Sequence, residues 1–114
     1  MRYFLFPLFA ALTASCGEVS DIKDPYLGQE VPGLTPKAFA PGIVSTDHYE
    51  YSGMFSHDMK EFYFIADGGE YEDQTFIVVE YKEGEWQKSI VSPRVGQPVI
   101  SPDGQTMHLG RRYK

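Results

Sequence analysis

A single cysteine, Cys16, excludes any disulfide within the chain, so its stability must come from packing and hydrogen bonding. Basic residues are scarce. Ten Lys and Arg stand against 16 Asp and Glu, for a formal net charge of −6, and such a surface makes nucleic acid a poor partner. No basic amphipathic stretch is present to lie on anionic lipid. The three histidines, His48, His57 and His108, are scattered and have no cysteine neighbours or shared spacing that would mark a metal site. No segment holds apolar residues at helical spacing through three turns, which argues against an α or α/β class. The one long apolar run, Tyr3 to Leu12, is interrupted by Pro7 and falls short of the roughly 20 residues that cross a bilayer.

That run has a different explanation. Arg2 gives it a positive start and Thr13-Ala14-Ser15 a small-residue end, the arrangement of an export signal spanning residues 1–15. Cys16 then has three readings: a half-disulfide seeking another chain, an inert thiol, or a lipid attachment point. Leu12-Thr13-Ala14-Ser15-Cys16-Gly17 resembles a bacterial lipobox, with Thr13 where an aliphatic residue is usual and Leu12 one place earlier. The resemblance implies a diacylglycerol on the sulfur of Cys16. Two or three acyl chains anchor a protein stably, at about 0.8 kcal/mol per buried methylene. Gly17 resembles the residue that sends such proteins on to the outer membrane of double-membraned bacteria, where they face the periplasm. Loss of Arg2 with the leader would leave a net charge of −7.

Residues 16–36 contain Gly17, Pro25, Gly28, Pro32, Gly33 and Pro36 among polar residues and show no period, which predicts an irregular tether. Ile43-Val44, after the Pro41-Gly42 turn, are expected to form a short strand. From Tyr49 the pattern becomes β. Tyr51, Gly53 and Phe55 alternate with Ser52 and Met54. Phe62-Tyr63-Phe64-Ile65 is aromatic and β-branched, residues 75–81 are nearly continuous in apolar side chains, and residues 86–91 follow the Glu83-Gly84 turn. Residues 67–74 read as a polar loop. The fold class expected is all-β: an antiparallel four-stranded sheet over about 49–91 and the start of a second unit over about 96–110.

Residues 52–64 recur in altered form at 97–109, at a constant offset of 45 positions from Phe55 to Ile100. A self-similar period of about 40 to 45 residues containing several short strands is the signature of a β-propeller blade. One full period fits, so a ring of such blades would extend beyond these residues. The repeat centres on a turn. In the second copy, Pro102 presets the first corner, the Asp103 carboxylate can accept backbone N–H groups and Gly104 supplies a positive φ, with Ser101 before them. The first copy keeps Ser56 and Asp58 but has His57 for proline and Met59 for glycine. A methionine at positive φ costs about 1 kcal/mol, so a different or weaker turn is expected there.

The hydrophobic-Ser-Pro-Asp-Gly pattern followed by an alternating strand resembles the PD40, or WD40-like, β-propeller repeat of TolB-like proteins and many exported bacterial lipoproteins. The resemblance covers residues from about 25 onward, with the PD40-like segment placed at 37–114. It implies a lipid-anchored cell-envelope protein that presents loops to a protein partner, with exposed blade edges that favour self-association. It also leaves room for a substrate-gating propeller fragment of a prolyl-oligopeptidase-like serine peptidase, whose Gly-x-Ser-x-Gly elbow these residues do not contain.

Chemistry finds less support than structure. Ser101, Asp103 and His108 are the residue types of a triad, but the turn already accounts for the first two. Asp67, Glu70, Glu72 and Asp73 around Gly68-Gly69 do not match the spacing of a calcium loop. No catalytic residue, metal site or cofactor is therefore expected. Among many aromatics, Tyr71 in the polar loop is the one best placed to touch a ligand.

Overall fold

The computed structural model describes residues 24–111. The leader and Cys16 lie outside them. The described residues are all-β, with two sheets and one short 3-10 turn, Tyr26–Gly28. The strands β1 (Tyr49–Phe55), β2 (Glu61–Gly68), β3 (Tyr71–Lys82) and β4 (Glu85–Pro93) form an antiparallel meander in sequence order. A separate hairpin pairs β5 (Gln97–Ile100) with β6 (Met107–Gly110).

Strand alternation divides the larger sheet into two apolar faces. On one, Phe62, Phe64 and Ala66 of β2 lie opposite Val79, Ile77 and Thr75 of β3; on the other, Tyr63 and Ile65 meet Val78 and Phe76. Phe64, Ile65, Ile77 and Val79 are all but sealed from solvent. Each such side chain contributes about 1.5 to 3 kcal/mol of burial. A sheet apolar on both sides needs two covers, and the chain supplies both. The segment before β1 covers the first face: Leu27, Ala40 and Val44 are buried in one cluster with Phe62, Phe64, Ile77 and Val79. Phe39 and Phe55 pack on that cluster with ring centroids 5.0 and 4.8 Å from Phe62. Toward the second face, Arg94 crosses over the Tyr51 ring at 6.0 Å, and β5 packs against β1 and β2.

Two bulges shape the sheet. In β1, Ser52 and Gly53 together oppose the single residue between Tyr63 and Ile65, and Ser52 takes φ 57°. A Cβ on Gly53 would lie 2.8 Å from Phe62 Cζ, so the missing side chain is what lets the ring sit there. In β4 the register shifts by one residue at Val91, between the pairs Phe76–Ser92 and Ile77–Ile90.

Two local expectations are corrected. Residues 67–74 are not a loop. β2 and β3 run into them, and Gly68 pairs directly with Tyr71 across a tight hairpin. The cause is Gly68-Gly69, at φ 92° and 69°, which turns the chain within two residues, while Gln74 ties the ends by accepting from the Tyr51 hydroxyl at 3.0 Å and donating to Asp67 at 2.8 Å. Ile43 and Val44 do not form a strand. The amides of both turn back to the Ala40 carbonyl, at 3.0 and 2.9 Å, folding the segment so that Val44 is buried. Within the stretch read as a tether, Leu27 is only 4% exposed, and the Trp86 indole N–H donates to the Asp24 carbonyl at 3.0 Å. Residues 31–38 are exposed throughout.

Candidate functional site

Two regions bring together the residues singled out from sequence. The first is the pair of turns. In the β1–β2 connection, the Met59 amide closes on the Ser56 carbonyl at 3.0 Å, and the Ser56 amide donates to the Glu61 carbonyl at 2.8 Å. The Ser56 hydroxyl donates to Asp58 Oδ1 at 2.7 Å and accepts from the Glu61 amide at 3.0 Å, while Asp58 Oδ1 also accepts from the Lys60 amide at 3.1 Å. In the β5–β6 connection every one of these bonds returns. Gly104 closes on Ser101 at 2.8 Å, Ser101 donates to Asp103 Oδ1 at 2.5 Å and accepts from the Thr106 amide at 3.0 Å, and Asp103 accepts from the Gln105 amide at 3.0 Å. Pro102 occupies the corner held by His57 in the first copy.

The first turn is therefore not of a different kind, contrary to what Met59 suggested. Met59 adopts φ 60°, close to the 71° of Gly104. The hydrogen bonds of Ser56 and Asp58 fix the two ends of the turn, and the residue between must accept the left-handed conformation they impose. The same bonds stabilise the ionised carboxylates. The Ser56 hydroxyl and then the Lys60 amide hold Asp58 below its ordinary value, and Ser101 and then the Gln105 amide do so for Asp103. Both aspartates are occupied in holding the loop, which is a structural use of residues that in another setting could do chemistry.

The turns are also neighbours. A Cβ on Gly104 would lie 3.5 Å from Cγ and 3.6 Å from Cβ of His57, so the imidazole of the first turn rests on the backbone of the second.

The second region is a pocket of about 370 Å³ at the β2–β3 hairpin end of the first sheet face. Phe64, Ala66 and Val44 form its apolar floor, and His48, Glu50, Glu70, Tyr71 and Lys88 contribute polar atoms. Tyr71, expected on an exposed loop, sits in β3 and packs against the core cluster. Its phenol is raised above the ordinary tyrosine value, first by burial and then by its hydrogen bond to Glu70. The Lys88 ammonium lies 5.6 Å from the Tyr71 centroid and 5.9 Å from that of Phe64, and reaches Glu70 at 3.4 Å. Glu50 accepts from both the hydroxyl and the amide of Thr46. His48 stacks over the Gly68-Gly69 turn, where a Cβ on Gly69 would come within 2.7 Å of its Cδ2. Lys88 and Glu50 were not singled out from sequence, and His48 was weighed only as a metal ligand. They come from two distant segments, the start of β1 and the middle of β4, and only strand pairing brings them together.

Among the described residues, no three His, Cys, Asp or Glu side chains group to hold a metal ion. Nor is any described helix long and apolar enough to cross a membrane. Asp67, Glu70, Glu72 and Asp73 are spread along the β2–β3 hairpin, with Asp67 bonded to Gln74 and Glu70 to Lys88. No protein-family model, no curated protein and no solved structure matches the chain.

Proposed function

We propose that this chain is a non-enzymatic, lipid-anchored protein of the cell envelope, held at Cys16 in the outer membrane facing the periplasm. Its TolB-like, PD40-type β-propeller segment mediates protein–protein contact. The observation that carries this reading is the relation between the two repeats. Equivalent turns with the same hydrogen bonds stand side by side, His57 against Gly104, and the second hairpin packs on the sheet of the first. A module that covers its apolar face with the next copy of itself is what a stacked-blade architecture requires. The Ser-x-Asp turns then serve as repeated braces, and contacts with a partner fall to the loops and side chains that the braces hold in place.

The anchor is tested by the intact mass of the protein recovered from membranes of a double-membraned bacterium that expresses it. A diacylglyceryl increment on a chain beginning at Cys16, lost together with membrane association in Cys16→Ser, supports the reading. A mature chain lacking Cys16, or one carrying no lipid, overturns it.

A further inference from the structure

The pocket at the β2–β3 hairpin end is lined by the larger sheet and the segment before it, and neither the anchor nor the paired turns make use of it. Its polar groups carry both signs. Glu50 and Glu70 bring two carboxylates and Lys88 one ammonium, above a floor of Val44, Phe64 and Ala66. The two carboxylates are held differently. Glu50 accepts from the Thr46 amide on one oxygen and from the Thr46 hydroxyl on the other, which fixes its position and leaves each oxygen a second lone pair. Glu70 stands mostly in solvent, its side chain 71% exposed, and meets Lys88 only at 3.4 Å. Lys88 is the better covered of that pair, at 28%, and its ammonium is set over the rings of Tyr71 and Phe64. A charged hydrogen bond of good geometry spans about 2.7 to 2.9 Å, so this ammonium has room for a closer anion.

We propose that this pocket binds a free α-amino acid with an apolar side chain. The ligand's carboxylate takes the place of Glu70 beside Lys88, its ammonium binds Glu50, and its side chain lies on the floor next to Tyr71. Charge complementarity selects this class. A bare carboxylate of the same shape brings a like charge toward Glu50, and a bare amine brings one toward Lys88; a zwitterion answers both signs. The volume of about 370 Å³ lies at the lower end of the range for small-molecule sites, about 300 to 1,000 Å³. This inference goes beyond the envelope role proposed above and does not rest on the anchor or on the second hairpin.

The test titrates the full chain with L-phenylalanine, followed by calorimetry and by the NMR amide shifts of Gly68, Gly69 and Lys88. Three truncated probes accompany it: 3-phenylpropanoate lacks the ammonium, phenethylamine the carboxylate and glycine the apolar side chain. L-Phenylalanine should bind saturably with a dissociation constant below about 1 mM. Each truncated probe should bind at least about tenfold more weakly, the loss expected for one charged hydrogen bond or one buried apolar side chain. In Lys88→Met the preference for phenylalanine over phenethylamine should disappear, and in Glu50→Gln its preference over 3-phenylpropanoate, while the Trp86 unfolding transition persists in both. No saturable shift by L-phenylalanine at about 10 mM, equally tight binding of a truncated probe, or an unchanged preference in either variant overturns the proposal. The probe series on the unaltered chain decides even where a variant fails to fold. The mass of the mature chain leaves this result untouched, so the two readings fail separately.

Discussion

Replacing Ser56 by alanine isolates the turn that organises the larger sheet. Its hydroxyl accepts from the Glu61 amide at the first residue of β2 and donates to the Asp58 carboxylate, so the substitution leaves one backbone donor without its partner and one carboxylate without its strongest support. A neutral hydrogen bond contributes about 0.5 to 1.5 kcal/mol and a charged one about 1.5 to 3, with the charged value reduced here by solvent exposure. A net loss of about 1 to 2 kcal/mol follows. Trp86, the only tryptophan, lies on β4 against the core cluster and so reports unfolding of this sheet. With a urea slope of about 1 to 2 kcal/mol/M, the fluorescence midpoint should fall by about 1 M. Ser101→Ala removes the same bonds from the second hairpin, which holds no tryptophan, and should move the midpoint by less than about half as much. The pH dependence has a definite sign. Asp58 is lowered in the fold from its ordinary 3.8, so its contribution is fully present above that value and is lost as pH falls through the folded one. Ser56→Ala removes the first cause of the lowering, so the gap between wild type and variant should narrow as pH falls below about 4, without closing, because the lost Glu61 amide bond does not titrate. An unchanged midpoint in Ser56→Ala, an equal shift in Ser101→Ala, or a gap that widens in acid would refute the account of the turn.

Met59→Gly should stabilise the chain slightly. Relief of about 1 to 2 kcal/mol of left-handed strain is opposed by about 0.5 to 1 kcal/mol of added unfolded-state freedom, and chemical denaturation should show a gain below about 1 kcal/mol. A clear loss would mean that the half-buried methionine side chain matters more than its backbone. Leu27→Ala should cost about 2 to 3 kcal/mol, as for other leucines buried in a packed cluster, and should red-shift Trp86 emission as the Asp24 carbonyl loses its fixed position. Stability unchanged by this substitution would show that the segment around residues 24–29 is not part of the core.

The strands were legible where composition and period agreed. Phe62-Tyr63-Phe64-Ile65 and the run over 75–81 are too apolar and too β-branched to be anything else, and both lie at the centre of the larger sheet. The Ser-x-Asp turn was legible because its residues act on their own backbone within five positions, so its geometry needs nothing from the rest of the chain. What could not be read is whatever depends on distant partners. Leu27 is a lone apolar residue among prolines and glycines, and only the cluster formed with Phe62 and Val79, far along the chain, gives it a place. Tyr71 looked exposed because carboxylates surround it, yet Gly68-Gly69 was the stronger signal, and a tight hairpin there turns the tyrosine onto the core.

Met59 shows how the two kinds of information compete. Residue type opposes a positive φ by about 1 kcal/mol, and read alone it predicts a different turn. Against it stand the hydrogen bonds of Ser56 and Asp58 at both ends of the loop, each worth a comparable amount, and the register of β1 on β2 that they hold. The sum of several local bonds outweighs one unfavourable residue, so the turn keeps its form and the strain stays at position 59. Where a repeat has drifted in sequence, the side chains that bind the backbone are therefore better guides to its geometry than the residue that must adopt the unusual conformation.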